Sequence, residues 1–171
     1  MSFEENLKNF RFTDDSRDVF DACLRFAAFL EKGGVKELQF YIDDALKFYA
    51  AFFGSLLVGS APCVLAKPVY EPNLTAVNDE NFLNFLAKEP AKGLKFDSQA
   101  KFYLQTSGSS GKSKMIEKTL AQMIKESEYL ARELNFSEQN TFFSSVSHRH
   151  MFGLTFKVFL PLVLGAPSRT S

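Results

Sequence analysis

Hydrophobic positions along the chain change period from block to block. From Asp14 to Lys32, Val19, Phe20, Cys23, Phe26, Ala27 and Leu30 recur at helical spacing, Asp14, Asp15 and Ser16 offer a cap, and Gly33 and Gly34 end the run. In "ELQFYID", Leu38, Phe40 and Ile42 alternate with polar or amphipathic residues, which is strand period. Asp43 or Asp44 then caps a second helix, "ALKFYAAFFGSLLVG", which stops at Gly59. This helix is apolar on nearly every side, and that pattern predicts burial against a sheet.

"PCVLA" follows as a short buried strand, and "KPVYEPN" as a loop with prolines. Asn78 or Asp79 starts a small helix, "ENFLNFLAKE", stopped by Pro90. After the polar connection "AKGLKFDSQ", "KFYLQ" reads as a strand that enters a run of Ser and Gly. An amphipathic helix from Thr119 to Leu134 carries Leu120, Met123, Ile124, Ser127, Leu130 and Leu134 on one face. "TFFSSVS" reads as another strand, and "FGLTFKVFLPLVLGAP" as a final apolar helix interrupted by Pro161 and ended by Gly165. Strands alternating with helices imply an α/β fold: a mostly parallel sheet with helices on both faces, whose ligands gather at the carboxyl ends of the strands.

Composition narrows the class. With 171 residues, one domain is expected, and 46% apolar residues, 20 of them Phe, suffice for a real core. Twenty basic and 20 acidic residues cancel, so the charge gives no sign of a nucleic-acid partner or an acidic membrane surface. Cys23 and Cys63 lie in apolar runs without metal spacing and read as buried free thiols of a reducing compartment. The start "MSFEENLKNF" has acids and no apolar core, so it is not a signal peptide, and "FYAAFFGSLLVG" is too short to span a bilayer. A cytoplasmic protein with no transmembrane segment is expected.

The chemistry gathers in "TSGSSGKSK", where Thr106, Ser107, Gly108, Ser109, Ser110, Gly111, Lys112, Ser113 and Lys114 follow a strand. Glycines let backbone N–H groups converge on one point, hydroxyls add donors without bulk, and a lysine matches phosphate charge. A linker or surface turn would explain the composition too, but this run lies inside a continuous α/β pattern rather than between domains. A Walker-type loop needs a glycine where Thr106 stands, although Gly111, Lys112 and Ser113 fit its end. The two histidines, His148 and His150 in "SHRH", would share a face on a strand. No further His and no adjoining Cys or carboxylate cluster completes a metal set, so a packed or hydrogen-bonded histidine is the plainer reading and no metal ligand is assigned.

"TSGSSGKSK" resembles the phosphate loop of the adenylate-forming (AMP-binding) enzymes, which include acyl-CoA synthetases, luciferases and peptide-synthetase adenylation domains. Its usual form is T-S-G-S-T-G-x-P-K-G; here Ser113 replaces the Pro and Met115 the last Gly. The resemblance implies that Thr106, Ser107, Gly108, Ser109, Ser110 and Gly111 cradle the ATP phosphates, with Lys114 rather than Lys112 as the motif's cation. "SVSHRHMFGLTFKVFLPLVLGAP" is similar to the family's next motif, H-x-x-G followed by an apolar helix ending in L-G. Carried over, His150 and Gly153 hold the His and Gly, and with Phe152 they line the acyl pocket. The likeness runs from about Leu46 to Pro167 and is nearest to acyl-activating enzymes of fatty-acid-like or aryl polyene pathways.

The implied reaction joins a carboxylic acid and ATP, with Mg²⁺, into an acyl-adenylate and then passes the acyl group to CoA or to a carrier-protein pantetheine. The family's adenine-stacking motif, ribose-binding carboxylate, hinge and mobile C-terminal domain with its lysine do not occur in residues 1–171. The chain is therefore expected to be a partial N-terminal AMP-binding domain, inactive alone, whose last helix leaves apolar surface exposed for self-association. The alternatives are a stand-alone nucleotide- or phosphate-binding module of Walker type and a non-catalytic interaction domain.

Overall fold

The computed structural model describes residues 2–93, 95–106, 113–143 and 145–170. Its centre is a five-stranded sheet in the order β3-β1-β2-β4-β5. Strands β1 (Glu37–Tyr41), β2 (Ala61–Val64), β3 (Thr75–Asn78) and β4 (Lys101–Thr106) run parallel. β5 (Lys114–Thr119) runs antiparallel to β4, in register from Thr106↔Lys114 to Lys101↔Thr119. The mostly parallel sheet with helices is thus present.

Strand alternation sorts the sheet into two faces. Phe40, Val64, Phe102 and Leu104 are buried on one face, against α3 (Ala45–Leu57), α2 (Val19–Gly33) behind it, and the last helix. Gln39, Cys63, Tyr103 and Gln105 point the other way. That second side is partly covered by the proline-containing segment 65–74, which Gln39 holds as a backbone would: its Nε2 donates to the Glu71 carbonyl at 2.6 Å, and its Oε1 accepts the Glu71 N–H at 2.8 Å.

In α3, every residue except Lys47 is buried, as its all-round apolar pattern requires. Gly54 lets it cross α2 closely, for a Cβ there would lie 2.7 Å from the Cys23 carbonyl oxygen. The last helix spans residues 151–164 as α5 (Met151–Gly153), a π-helical stretch Leu154–Phe159, and α6 (Leu160–Leu164). Pro161 was expected to interrupt it and does not. A proline at 161 has no N–H for the Lys157 carbonyl four residues back and crowds it. The wider π turn, with Leu160 N–H bonding the Thr155 carbonyl, accommodates the ring, and the Tyr49 hydroxyl donates to the orphaned Lys157 carbonyl at 3.0 Å. At the other end, Asn6 from α1 (Phe3–Asn9) donates to the Leu162 and Val163 carbonyls at 2.8 and 3.2 Å.

Several local expectations are corrected. The first long helix starts at Val19 with Asp18 as its cap, because Asp15 is taken by Arg17 and Asp14 accepts from Thr170. "ENFLNFLAKE" gives only a single 3₁₀ turn, Phe82–Phe85. There Asn78 Oδ1 accepts the Glu80 and Asn81 N–H groups, an arrangement that competes with the helix. "TFFSSVS" forms no strand beyond an isolated bridge of Phe142 with Ser168, and Phe143 is exposed, so the segment has no buried face to enforce alternation. Most of the last helix's apolar surface is covered, Leu154, Val158, Phe159, Leu160 and Leu162 all being buried, and Phe152 is its one large hydrophobic left exposed. Sequence period gave no warning of α1, β3 or β5.

Replacing Tyr49 by Phe leaves the buried Lys157 carbonyl without a partner and is expected to cost about 1–3 kcal/mol in urea unfolding. Pro161→Ala restores an N–H, so the same Tyr49→Phe change is expected to cost less in that background.

Candidate functional site

The described ends of the Ser/Gly motif and the turn that carries the second motif lie at the carboxyl edge of the parallel strands. Thr106 ends β4 and faces Lys114, the exposed first residue of β5; the Thr106 hydroxyl lies 3.3 Å from the Lys114 carbonyl oxygen and donates to it. Gln105 braces the same place, its Oε1 accepting the Ala66 N–H beyond β2 at 3.2 Å and its Nε2 reaching the Ser113 hydroxyl at 3.4 Å. Ser107, Gly108, Ser109, Ser110, Gly111 and Lys112 lie outside the described residues. The feet of the loop are nonetheless fixed: it joins two antiparallel neighbours, not a strand and a helix as expected. The amphipathic helix α4 (Leu120–Glu133) begins only after β5, capped by a reciprocal Thr119–Gln122 pair.

The second motif sits two strand positions away, beyond the end of β1, with β2 between. His148 is 2% exposed, its ring tilted 39° against Phe48 with centroids 4.1 Å apart, and its Nε2 lies 2.8 Å from the Ile42 carbonyl. That carbonyl can only accept, so Nε2 carries the proton, and the buried Nδ1 has no partner among the described residues. Burial, which outweighs the Ile42 bond, pushes the His148 pKa down to about 4. Arg149, 8% exposed, lies 3.6 Å over the Tyr41 ring and donates through Nη2 and Nε to Asp43 Oδ1 at 2.7 and 3.2 Å.

His150 is exposed and forms the N-cap of the last helix through its backbone, its carbonyl accepting the Leu154 N–H at 2.8 Å, while its side chain makes no capping bond. Gly153 is required by packing, since a Cβ there would meet the Ser147 carbonyl oxygen at 2.1 Å. Phe152 is 58% exposed and stacks on Phe156 with centroids 4.5 Å apart. The two histidines therefore do not share a face. Among the described residues no hydrogen bond or ion pair links Thr106, Ser113 or Lys114 to His150 or Phe152; the fold brings the motifs to one edge without joining them. Tyr41, Gln105 and Arg149 were not marked in the sequence, because single aromatic, amide and guanidinium groups in short strands and turns carry no period or spacing.

No protein-family model matches this sequence, and no curated protein matches it in sequence. Solved structures match in fold. The o-succinylbenzoate CoA synthetase (MenE) of Bacillus subtilis, in complex with its acyl-adenylate intermediate, has a TM-score of 0.78 at 16% identity, over 99% of this chain and 56% of that one. The N-terminal subdomain of Klebsiella oxytoca NpsA has a TM-score of 0.77 at 14% identity, over 99% of this chain and 53% of that one. The McyG A-PCP structure complexed with phenylalanyl-adenylate has a TM-score of 0.75 at 14% identity, over 99% of this chain and 42% of that one. The chain spans about half the length of these proteins. It has the fold of the N-terminal domain of adenylate-forming enzymes, as its motifs led one to expect.

The neutral His148 sets a pH dependence. The unfolded chain takes up a proton as pH falls through about 6.5, whereas the folded chain resists until about 4. Stability is therefore expected to be level above about pH 6.5 and to fall by about 3 kcal/mol down to pH 4 on this account. Urea unfolding across that range checks it, and His148→Gln, which keeps a donor for Ile42 but does not titrate, is expected to flatten this part of the profile.

Proposed function

We propose that this chain is the N-terminal part of an ATP-dependent enzyme that activates a carboxylic acid as its acyl-adenylate and then forms a thioester with CoA or a carrier-protein pantetheine. One observation carries the reading: in a fold shared with proteins solved with acyl-adenylates, the Ser/Gly-rich loop springs from the carboxyl end of a parallel strand, at Thr106. The H-x-x-G motif at His150 and Gly153 stands at the same edge.

In this reading, Thr106 and the loop Ser107, Gly108, Ser109, Ser110 and Gly111 hold the β- and γ-phosphates, and Lys114 offsets their charge. A carboxylate oxygen attacks the α-phosphorus, the bond from that phosphorus to the bridging oxygen breaks, and pyrophosphate leaves. The thiolate sulfur then attacks the acyl carbon and AMP departs with the bonding electrons. The chain contributes positioning and electrostatic stabilisation. His150 orients the acid's carboxylate, and Phe152 and Gly153 border its apolar part. Mg²⁺ supplies charge neutralisation on the phosphates. Among the described residues no group of three or more His, Cys, Asp or Glu stands ready to hold a metal, so no step is assigned to the ion here.

The Walker alternative is weakened by the strand after the loop. A Walker loop delivers phosphate to a helix N-terminus, whereas Ser113 here leads into strand β5. In this reading the family's adenine, ribose and further catalytic motifs do not occur in residues 1–171, so these residues alone are not expected to turn over.

ATP at ten times its Kd is expected to add about 1.4 kcal/mol, or about 3–6 °C in Tm. Lys114→Ala is expected to remove that shift and Lys112→Ala to leave most of it; the reverse pattern would overturn the reading. Incubation of the chain with ATP, Mg²⁺ and a panel of carboxylic acids is expected to release no pyrophosphate.

A further inference from the structure

The turn 147–150 is fastened with more polar contacts than a helix entry needs. The Ser147 carbonyl accepts the His150 N–H at 3.1 Å and presses on Gly153, and the Ser147 hydroxyl accepts the Arg149 N–H at 3.2 Å. His148 is sunk on Ile42 and Phe48. Arg149 is gripped between a ring face and a carboxylate. All three strand-side partners, Tyr41, Ile42 and Asp43, are consecutive residues at the carboxyl end of β1. Of the four turn residues, His150 alone is exposed.

We propose that Arg149 is a positioning residue: by stacking on Tyr41 and pairing with Asp43 it fixes the turn on β1 and so sets where His150 stands. The inference rests on the acid-activating role assigned to His150. The geometry favours a guanidinium specifically. A planar cation can lie flat on a ring while directing two edge N–H groups to one carboxylate oxygen, and an ammonium cannot do both. The burial is one-sided, with the Arg149 side chain 10% exposed and that of Asp43 62% exposed. Arg149 is thus held by the fold, and Asp43 can be changed without opening the core. Arg149 acts through the backbone of the turn; its guanidinium faces Tyr41 and Asp43, so it is not assigned to the reacting atoms.

The test uses the whole chain and two readouts. Hydrogen exchange of the Leu154 amide, which bonds the His150 carbonyl, reports the turn directly. Thermal shift with ATP and Mg²⁺, and then with acetate, octanoate or benzoate added, separates the nucleotide increment from the acid increment. In Arg149→Lys, Leu154 is expected to exchange at least tenfold faster while amides of α3 are unchanged. The acid increment is expected to be lost and the ATP increment kept. Tyr41→Phe, which retains the ring face, is expected to behave as wild type, and Asp43→Asn to give a smaller effect of the same kind should Arg149→Lys not fold. Wild-type Leu154 exchange in a folded Arg149→Lys or in Asp43→Asn would overturn the positioning role. Loss of both increments together would overturn it as well, because the damage would then be general. Absence of an ATP increment in the wild type would instead sink the functional reading, with the exchange data still deciding what Arg149 does to the turn.

Discussion

The seat of Phe159 governs how the last helix meets the rest of the core. Its ring lies 5.9 Å from Phe52, 5.8 Å from Phe53 and 6.5 Å from Phe102, centroid to centroid. One side chain thus ties the last helix to α3 and to strand β4. A buried Phe of this kind is worth about 3–5 kcal/mol against Ala. No polar group has to be satisfied at this contact, so the seat tolerates the irregular backbone around it. The π turn, the proline and the Tyr49 hydroxyl are all arrangements that let this helix stay continuous while its apolar side remains on the rings.

Function would then be set at the rim. Parallel strands direct their carboxyl ends toward one edge, and short connections there must find hydrogen-bond partners without a neighbouring strand. This chain solves the problem with side chains. Asp79 accepts the Asp43 and Asp44 N–H groups, Gln105 serves Ala66, and His148 serves Ile42. The edge is therefore stiff where the two motifs are mounted. A rigid mounting suits chemistry in which the gain comes from orientation, because a misplacement of about 1 Å can cost 100-fold.

Much of the fold was legible from period alone. The α2, α3 and α4 stripes and the β1 alternation are local signals, and burial follows them except at the end of α4, where Leu134 is exposed. What was missed lacks such a signal. β3 is the four residues Thr75–Asn78, with only Val77 fully buried, and β5 is an edge strand whose exposed Lys114, Met115 and Glu117 obey no inside–outside pattern. Pro161 was misjudged because its relief comes from Tyr49, over a hundred residues away. The candidate site divides similarly. The loop and the H-x-x-G motif were readable as residue types at a spacing. The grip on Arg149 was not, since Tyr41 and Asp43 reach it only through the fold.

The π turn also fixes an angle. A single π turn amounts to one residue inserted into an α-helix, and one residue turns a helical face by about 100°. The helical residues Met151–Gly153 are thereby rotated relative to α6, which follows the π stretch. The direction in which His150 and Phe152 look out from the sheet edge is accordingly a matter of helical phase. Chain length between Gly153 and Leu160 is the variable this phase obeys, so one deleted residue there would re-aim the motif while leaving every side chain of it in place.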